Sequence, residues 1–168
     1  MLVVVCIIGV LAALGLPAFT GYVRQAKTSE AVGNLNNAFK SASAFYDKEQ
    51  AVQGLTGQLS TNCIVEPSTI SPNPPTQVKQ RFTAGAGFQA LGFSIADYVY
   101  YGYGLDSIAP AGQTLCGVSG GTASIYTFYA HGDIDGDSLL STFTLSTGSN
   151  ADNQLYHSRG IYIDHPIE

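Results

Sequence analysis

The chain opens Met1-Leu-Val-Val-Val-Cys-Ile-Ile-Gly-Val-Leu-Ala-Ala-Leu-Gly-Leu-Pro-Ala-Phe-Thr-Gly-Tyr-Val23, and its first charged residue is Arg24. None of these 23 residues is charged. Wound as a helix at about 1.5 Å per residue they reach roughly 34 Å, enough to cross a hydrocarbon layer of about 30 Å. A surface this apolar has to be covered by lipid, by a protein core or by copies of itself. A secretory signal peptide accounts for it poorly. That reading needs a basic flank ahead of about 7–15 apolar residues and a small-residue cleavage site. No basic residue comes before Arg24. A plain membrane anchor leaves Gly9, Gly15 and Pro17 without a purpose.

Residues 24–49 are helical in a different way. Ala31, Leu35, Ala38, Ala42 and Phe45 recur at steps of four and three, which is one face of a helix. Phe39 and Tyr46 widen the stripe. Arg24, Lys27, Lys40 and Lys48 fall largely off it and are expected to stay in solvent. One long helix is therefore expected from the N-terminus to about residue 50, with an apolar first half and an amphipathic second half. Pro17 weakens it, because its missing N–H deprives the carbonyl of Ala13.

The order Val4-Val-Cys-Ile-Ile-Gly-Val-Leu-Ala-Ala-Leu-Gly-Leu-Pro-Ala-Phe19, followed by Ser29-Glu30-Ala31 and Asn34-Leu35, closely resembles the N-terminal segment of type IV pilins and type II secretion pseudopilins. The resemblance is close over residues 1–49 and loose beyond. It implies an α+β fold in which a long N-terminal helix packs on a small antiparallel sheet. It implies three parts: 1–23 as membrane or filament-core segment, 24–49 as amphipathic helix on the head, and 50–168 as globular head. It also implies that Gly9, Gly15 and Pro17 serve assembly, by letting residues 9–17 lose helicity in a filament. In that family the mature chain begins with an aromatic, N-methylated residue and has a glutamate directly before the position of Met1. The expectation is that about five N-terminal residues and the leader are missing here. The alternative is a divergent pilin without the glutamate, which would leave a neighbour's buried amine unpaired.

Composition narrows the partners. The 168 residues carry a net charge of −5. Beyond residue 82 the only basic residue is Arg159, set against eight acids. Phosphate backbones call for clustered Lys and Arg, so nucleic acid is not an expected partner of this surface. Cys6 lies in the apolar segment and reads as a small buried hydrophobe. Cys63 and Cys116 lie in the polar part and are expected to pair if the domain is extracellular. The cysteines and histidines do not have zinc spacing.

Residues 50–85 read as an irregular connection crowded by Pro67, Pro72, Pro74 and Pro75. Strand patterns begin near Phe88 and recur at 97–104, 124–130, 139–145 and 160–164. The segments 124–130 and 139–145 flank a tight loop and should form an antiparallel hairpin. The tyrosines at 98, 100, 101 and 103 read as a strand with one aromatic face inward and one outward.

That hairpin loop, Gly132-Asp-Ile-Asp-Gly-Asp-Ser138, carries the chain's one chemical motif. Asp133, Asp135 and Asp137 alternate, so a curled loop can aim three carboxylates at one cation. Such hard oxygen ligands favour calcium or magnesium over zinc. The loop resembles only half of an EF-hand, because Ser138 replaces its glycine and Thr144 its final glutamate. Two readings stay open. One is a pseudopilin-like calcium loop completed by a backbone carbonyl and Asp152 or Asn153. The other is a solvated turn whose acids keep the sheet edge soluble. His131, His157 and His165 are scattered, and no serine or cysteine sits in a nucleophile elbow. No enzymatic role is expected.

The expected function is a structural subunit of a type IV pilus-like filament, a homopolymer built through the apolar helix by pilus assembly machinery. The subunit would be anchored in the inner membrane before assembly and extracellular afterwards, serving adhesion, motility or DNA uptake. The alternatives are a type II secretion pseudopilin with a calcium-binding loop, and a membrane-anchored, calcium-dependent binding module acting singly.

Overall fold

A computed structural model describes residues 2–51 and 59–166. Met1, with the expectation about what precedes it, lies outside the described residues, as do residues 52–58 of the predicted connection. The fold is α+β. Helix α1 spans Leu2–Tyr46 and is followed by strands β1 (Gln50–Ala51), β2 (Leu59–Ser60), β3 (Ser68–Ser71) and β4 (Gln80–Arg81). A short helix α2 (Ala86–Ala90) precedes β5 (Tyr98–Val99) and β6 (Gly102–Ser107). The chain ends in β7 (Tyr126–Gly132), β8 (Ser141–Ser149), β9 (Leu155–His157) and β10 (Tyr162–Asp164).

Helix α1 divides as its composition dictates. Every residue from Val3 to Tyr22 is exposed, and the helix runs unbroken through Gly9, Gly15 and Pro17. In its second half Ala31, Leu35, Ala38, Ala42 and Tyr46 are buried. The stripe thus ends on Tyr46, with Phe45 only half-buried, where the spacing had pointed to Phe45. Tyr46 is drawn inward because its hydroxyl finds a partner, donating to Asn153 Oδ1 at 2.7 Å. Three of the five stripe residues are alanines, so the helix can lie close on the sheet.

The main sheet is antiparallel in the order β10–β8–β7–β6–β3, with β9 continuing the β10 side of β8. The expected hairpin is β7–β8, in register from Tyr126 opposite Thr147 to Gly132 opposite Ser141. Its inner face carries Tyr126, Phe128, Ala130, Phe143 and Leu145, all buried. Period-two alternation put these side chains on one face, and α1 covers it.

Two strand expectations need correction. Phe88 does not begin a strand. It lies in α2, where its N–H donates to Ser68 Oγ at 3.1 Å and its ring packs among Phe82 and Phe93. Gly87 lets that helix sit against the Glu66 carbonyl, which a Cβ would strike. The segment 97–104 is also not one strand. Tyr98–Val99 pairs with β4 in a separate ribbon, the chain bends, and β6 enters the main sheet. Tyr101 and Tyr103 still point inward and are buried, whereas Tyr98 is exposed.

Cys63 and Cys116 are disulfide-bonded across 53 residues of sequence. A short bridge beside the bond reinforces it. The N–H of Ile64 donates to the Leu115 carbonyl at 2.7 Å, and that of Leu115 donates back at 2.9 Å.

Candidate functional site

The acidic loop between β7 and β8 is built by local bonds. Asp133 Oδ1 accepts the N–H of Gly136 at 2.6 Å, and Asp137 Oδ1 accepts that of Leu139 at 2.7 Å. Gly136 takes a φ of 82°, the left-handed conformation that glycine adopts without strain. Ser138 takes a φ of 73°, which suits its short polar side chain less well. Ile134 turns into the protein and is buried. The curl leaves carboxylate oxygens of Asp133, Asp135 and Asp137 all within 4.8 Å of one another.

Two distant segments hold this loop in place. Arg24 Nη1 lies 3.3 Å from Asp135 Oδ2. The side-chain amide of Gln77 donates to the backbone carbonyl of Asp135. Asp135 Oδ1 is buried and has no hydrogen-bond partner. Of the three carboxylates, Asp135 meets the guanidinium, and the loop keeps an excess of negative charge. Its hard oxygen donors are of a kind that takes a divalent cation.

The fuller ligand set expected from the sequence does not form. Asp152 and Asn153 follow the far end of β8, a nine-residue strand, roughly 26 Å from the acidic loop at about 3.3 Å per residue. Asn153 is also committed elsewhere: it accepts from Tyr46 Oη and donates to the Val118 carbonyl at 3.0 Å. Arg24, expected in solvent, proves to be the loop's counterion. Arg24 and Asp135 stand 111 residues apart, and neither carries a local signal of the other.

A second cluster lies where α1 leaves the head. Lys27 Nζ stands 4.4 Å from the centre of the Tyr100 ring, and Lys79 Nζ stands 5.1 Å from the same ring. Glu30 Oε1 accepts the N–H of Tyr100 at 2.8 Å, and Glu30 Oε2 lies 3.9 Å from Lys79. Asn34 donates to Tyr103 Oη at 2.8 Å, and burial pushes the Tyr103 hydroxyl well above the usual tyrosine range. Glu30 is thus a buttress between helix and sheet, a role that sequence reasoning missed.

The histidines do not converge. His131 lies on the outer side of β7 with Nδ1 at 3.0 Å from Thr142 Oγ1, and burial pushes its pKa below the ordinary 6.5. His157 packs T-shaped with Phe39, and His165 lies 3.0 Å from Asp164.

The assembly residues stand on the bare part of α1. A Cβ added at Gly9, Gly15 or Gly21 would touch nothing within 4 Å. Those glycines therefore make no close contact inside the chain. The same helix is long and apolar enough to cross a membrane, and its most apolar stretch is wholly unburied. No protein-family model, curated protein or solved structure matches this chain.

Proposed function

We propose that this chain is a structural subunit of a type IV pilus-like filament, polymerising through α1. One observation carries the reading: a single helix is packed into the head from Ala31 onward and bare from Val3 to Tyr22. A bare apolar surface of that length needs a partner. Lipid serves before assembly, and the same segment of other copies serves afterwards. Both surroundings are apolar, so one sequence suits both. Gly9, Ala12, Ala13 and Gly15 then permit close helix approach. The subunit would wait in the inner membrane with its head in an oxidising compartment, which suits the Cys63–Cys116 bond. Pilus assembly machinery would move it into an extracellular filament. The reading assigns no catalysis and no nucleic-acid contact to the acidic head.

The type II secretion pseudopilin is the second reading, favoured by the acidic loop. In it Asp133, Asp135 and Asp137 hold calcium. The fit rests on the donor set and on the unpartnered Asp135 Oδ1. Asp133 and Asp137 each use one oxygen locally and retain the other. The anchored binding module would carry the same loop but act singly.

Deletion of residues 1–23 tests the filament reading. It removes the bare segment without touching the buried stripe. The truncated chain is expected to be a soluble, folded monomer by sedimentation, while the full chain forms polymers after detergent removal. Filaments from the truncated chain would contradict it.

A further inference from the structure

We propose that the cleft where α1 leaves the head holds the headgroup of an anionic phospholipid. This rests on the reading that residues 1–23 span a membrane before assembly. The cleft has a volume of about 370 Å³ and lies between α1 and the loop that carries Lys79. Its walls differ in character along the helix. Phe19, Tyr22 and Val23 form the end toward the apolar segment, with Phe19 65% and Tyr22 71% exposed. Lys27 and Lys79, from two separate segments, line the cleft beside Tyr100, and each ammonium lies near that ring.

Two ammonium groups line one cleft, and a single anion bound there would meet both charges. Glu30 is the carboxylate in the cleft, and it does not meet both. One of its oxygens is taken by the Tyr100 N–H, and the other stands 3.9 Å from Lys79, beyond a strong hydrogen bond. Lys27, Lys79 and Glu30 together leave one positive charge over.

Position selects the anion. The uncharged segment ends at Val23, so the cleft sits where an apolar layer gives way to water. Tyrosine and lysine at that level are the usual interfacial anchors, with aliphatic stems in the apolar zone and polar tips at the headgroups. With the head outside, basic residues on this flank also run against the usual bias toward the cytoplasmic side. Orienting the span therefore does not account for them. A phosphodiester between Lys27 and Lys79, with acyl chains along Phe19, Tyr22 and Val23, satisfies both ends of the cleft. A choline headgroup would bring its own cation to the lysines and is disfavoured.

The test uses the full chain in vesicles and nanodiscs. Flotation with pure phosphatidylcholine vesicles comes first, and failure to float overturns the span and the lipid site together. Native mass spectrometry then detects lipids retained from nanodiscs of mixed phosphatidylglycerol and phosphatidylcholine. The wild type is expected to retain phosphatidylglycerol preferentially. The variant Lys27→Gln/Lys79→Gln should lower that preference roughly five-fold for each lysine removed. The control Lys40→Gln/Lys48→Gln should keep it. Thermal melts of each variant separate a lost site from a lost fold. A chain that floats yet shows equal preference with and without Lys27 and Lys79 overturns the lipid site alone. Carbodiimide cross-links from either lysine to an acid of a second copy would also overturn it, assigning the cleft to subunit contact.

Discussion

Arg24 is the first charge after a long apolar run, and it reaches the one loop rich in carboxylates. The contact is 3.3 Å, with Arg24 partly exposed, so it stabilises the fold by only about 1 kcal/mol. Its larger effect is on charge, since it occupies one oxygen of Asp135. If the loop takes calcium, guanidinium and cation compete there. Calcium at a hundred times its dissociation constant should stabilise the head by about 2.7 kcal/mol, a rise in Tm of about 5–10 °C, reversed by chelator. Arg24→Gln should lower stability slightly without calcium and tighten calcium binding. No calcium-dependent shift in either protein would leave the loop a plain turn. His131 gives a second residue-scale test. Burial holds its pKa below the ordinary 6.5, so the folded chain takes up a proton less readily than the unfolded one. Its contribution is complete above about pH 6.5 and falls as pH drops through that value toward the lower folded pKa. His131→Gln should remove that part of the pH slope in denaturant titrations, and an unchanged slope below pH 6.5 would contradict it.

Elements differ in how much holds them and in how far their residues announced them. The Cys63–Cys116 bond closes a loop of 53 residues, and by loop-closure entropy it stabilises the head by about 4 kcal/mol. Cys63→Ser/Cys116→Ser should lower the unfolding free energy by that order in urea titrations, and a loss well under 1 kcal/mol would contradict the estimate. The second half of α1 was legible because burial on one side imposes a repeat of three and four. The hairpin was legible because β7 alternates along its whole length and β8 alternates through Thr147. Short elements carry no such repeat. Helix α2 has five residues and is fixed by Ser68 and an aromatic cluster, so the run near Phe88 reads equally well as a strand. The break between β5 and β6 was hidden for the same reason, since both pieces share one aromatic run. In the loop the three aspartates were legible from their spacing. Their partners were not, because Arg24 and Gln77 arrive through tertiary packing, and Asp152 and Asn153 lie beyond the far end of β8.

At the scale of the whole molecule, one end of α1 is finished and the other is not. The head buries Phe88, Tyr101, Tyr103, Tyr126, Phe128 and Phe143 in one core, and the Cys63–Cys116 bond ties its chain. The stalk presents Val3, Val4, Val5, Ile7, Ile8 and Leu11 to its surroundings with glycines that face open space. Helix–helix assembly would use that surface, and residues 9–17, helical in the single chain, are where extension would begin. Opening nine helical residues to extended backbone would lengthen the stalk by roughly 16 Å. The chain would then stretch without disturbing the head. Electron cryomicroscopy of the native, full-length material tests this most directly. The account predicts helical filaments with residues 2–23 bundled at the axis, heads outside, and helical hydrogen bonds lost between Gly9 and Pro17. Dispersed, detergent-bound monomers would contradict the polymer, and an unbroken helix in a filament would contradict the extension.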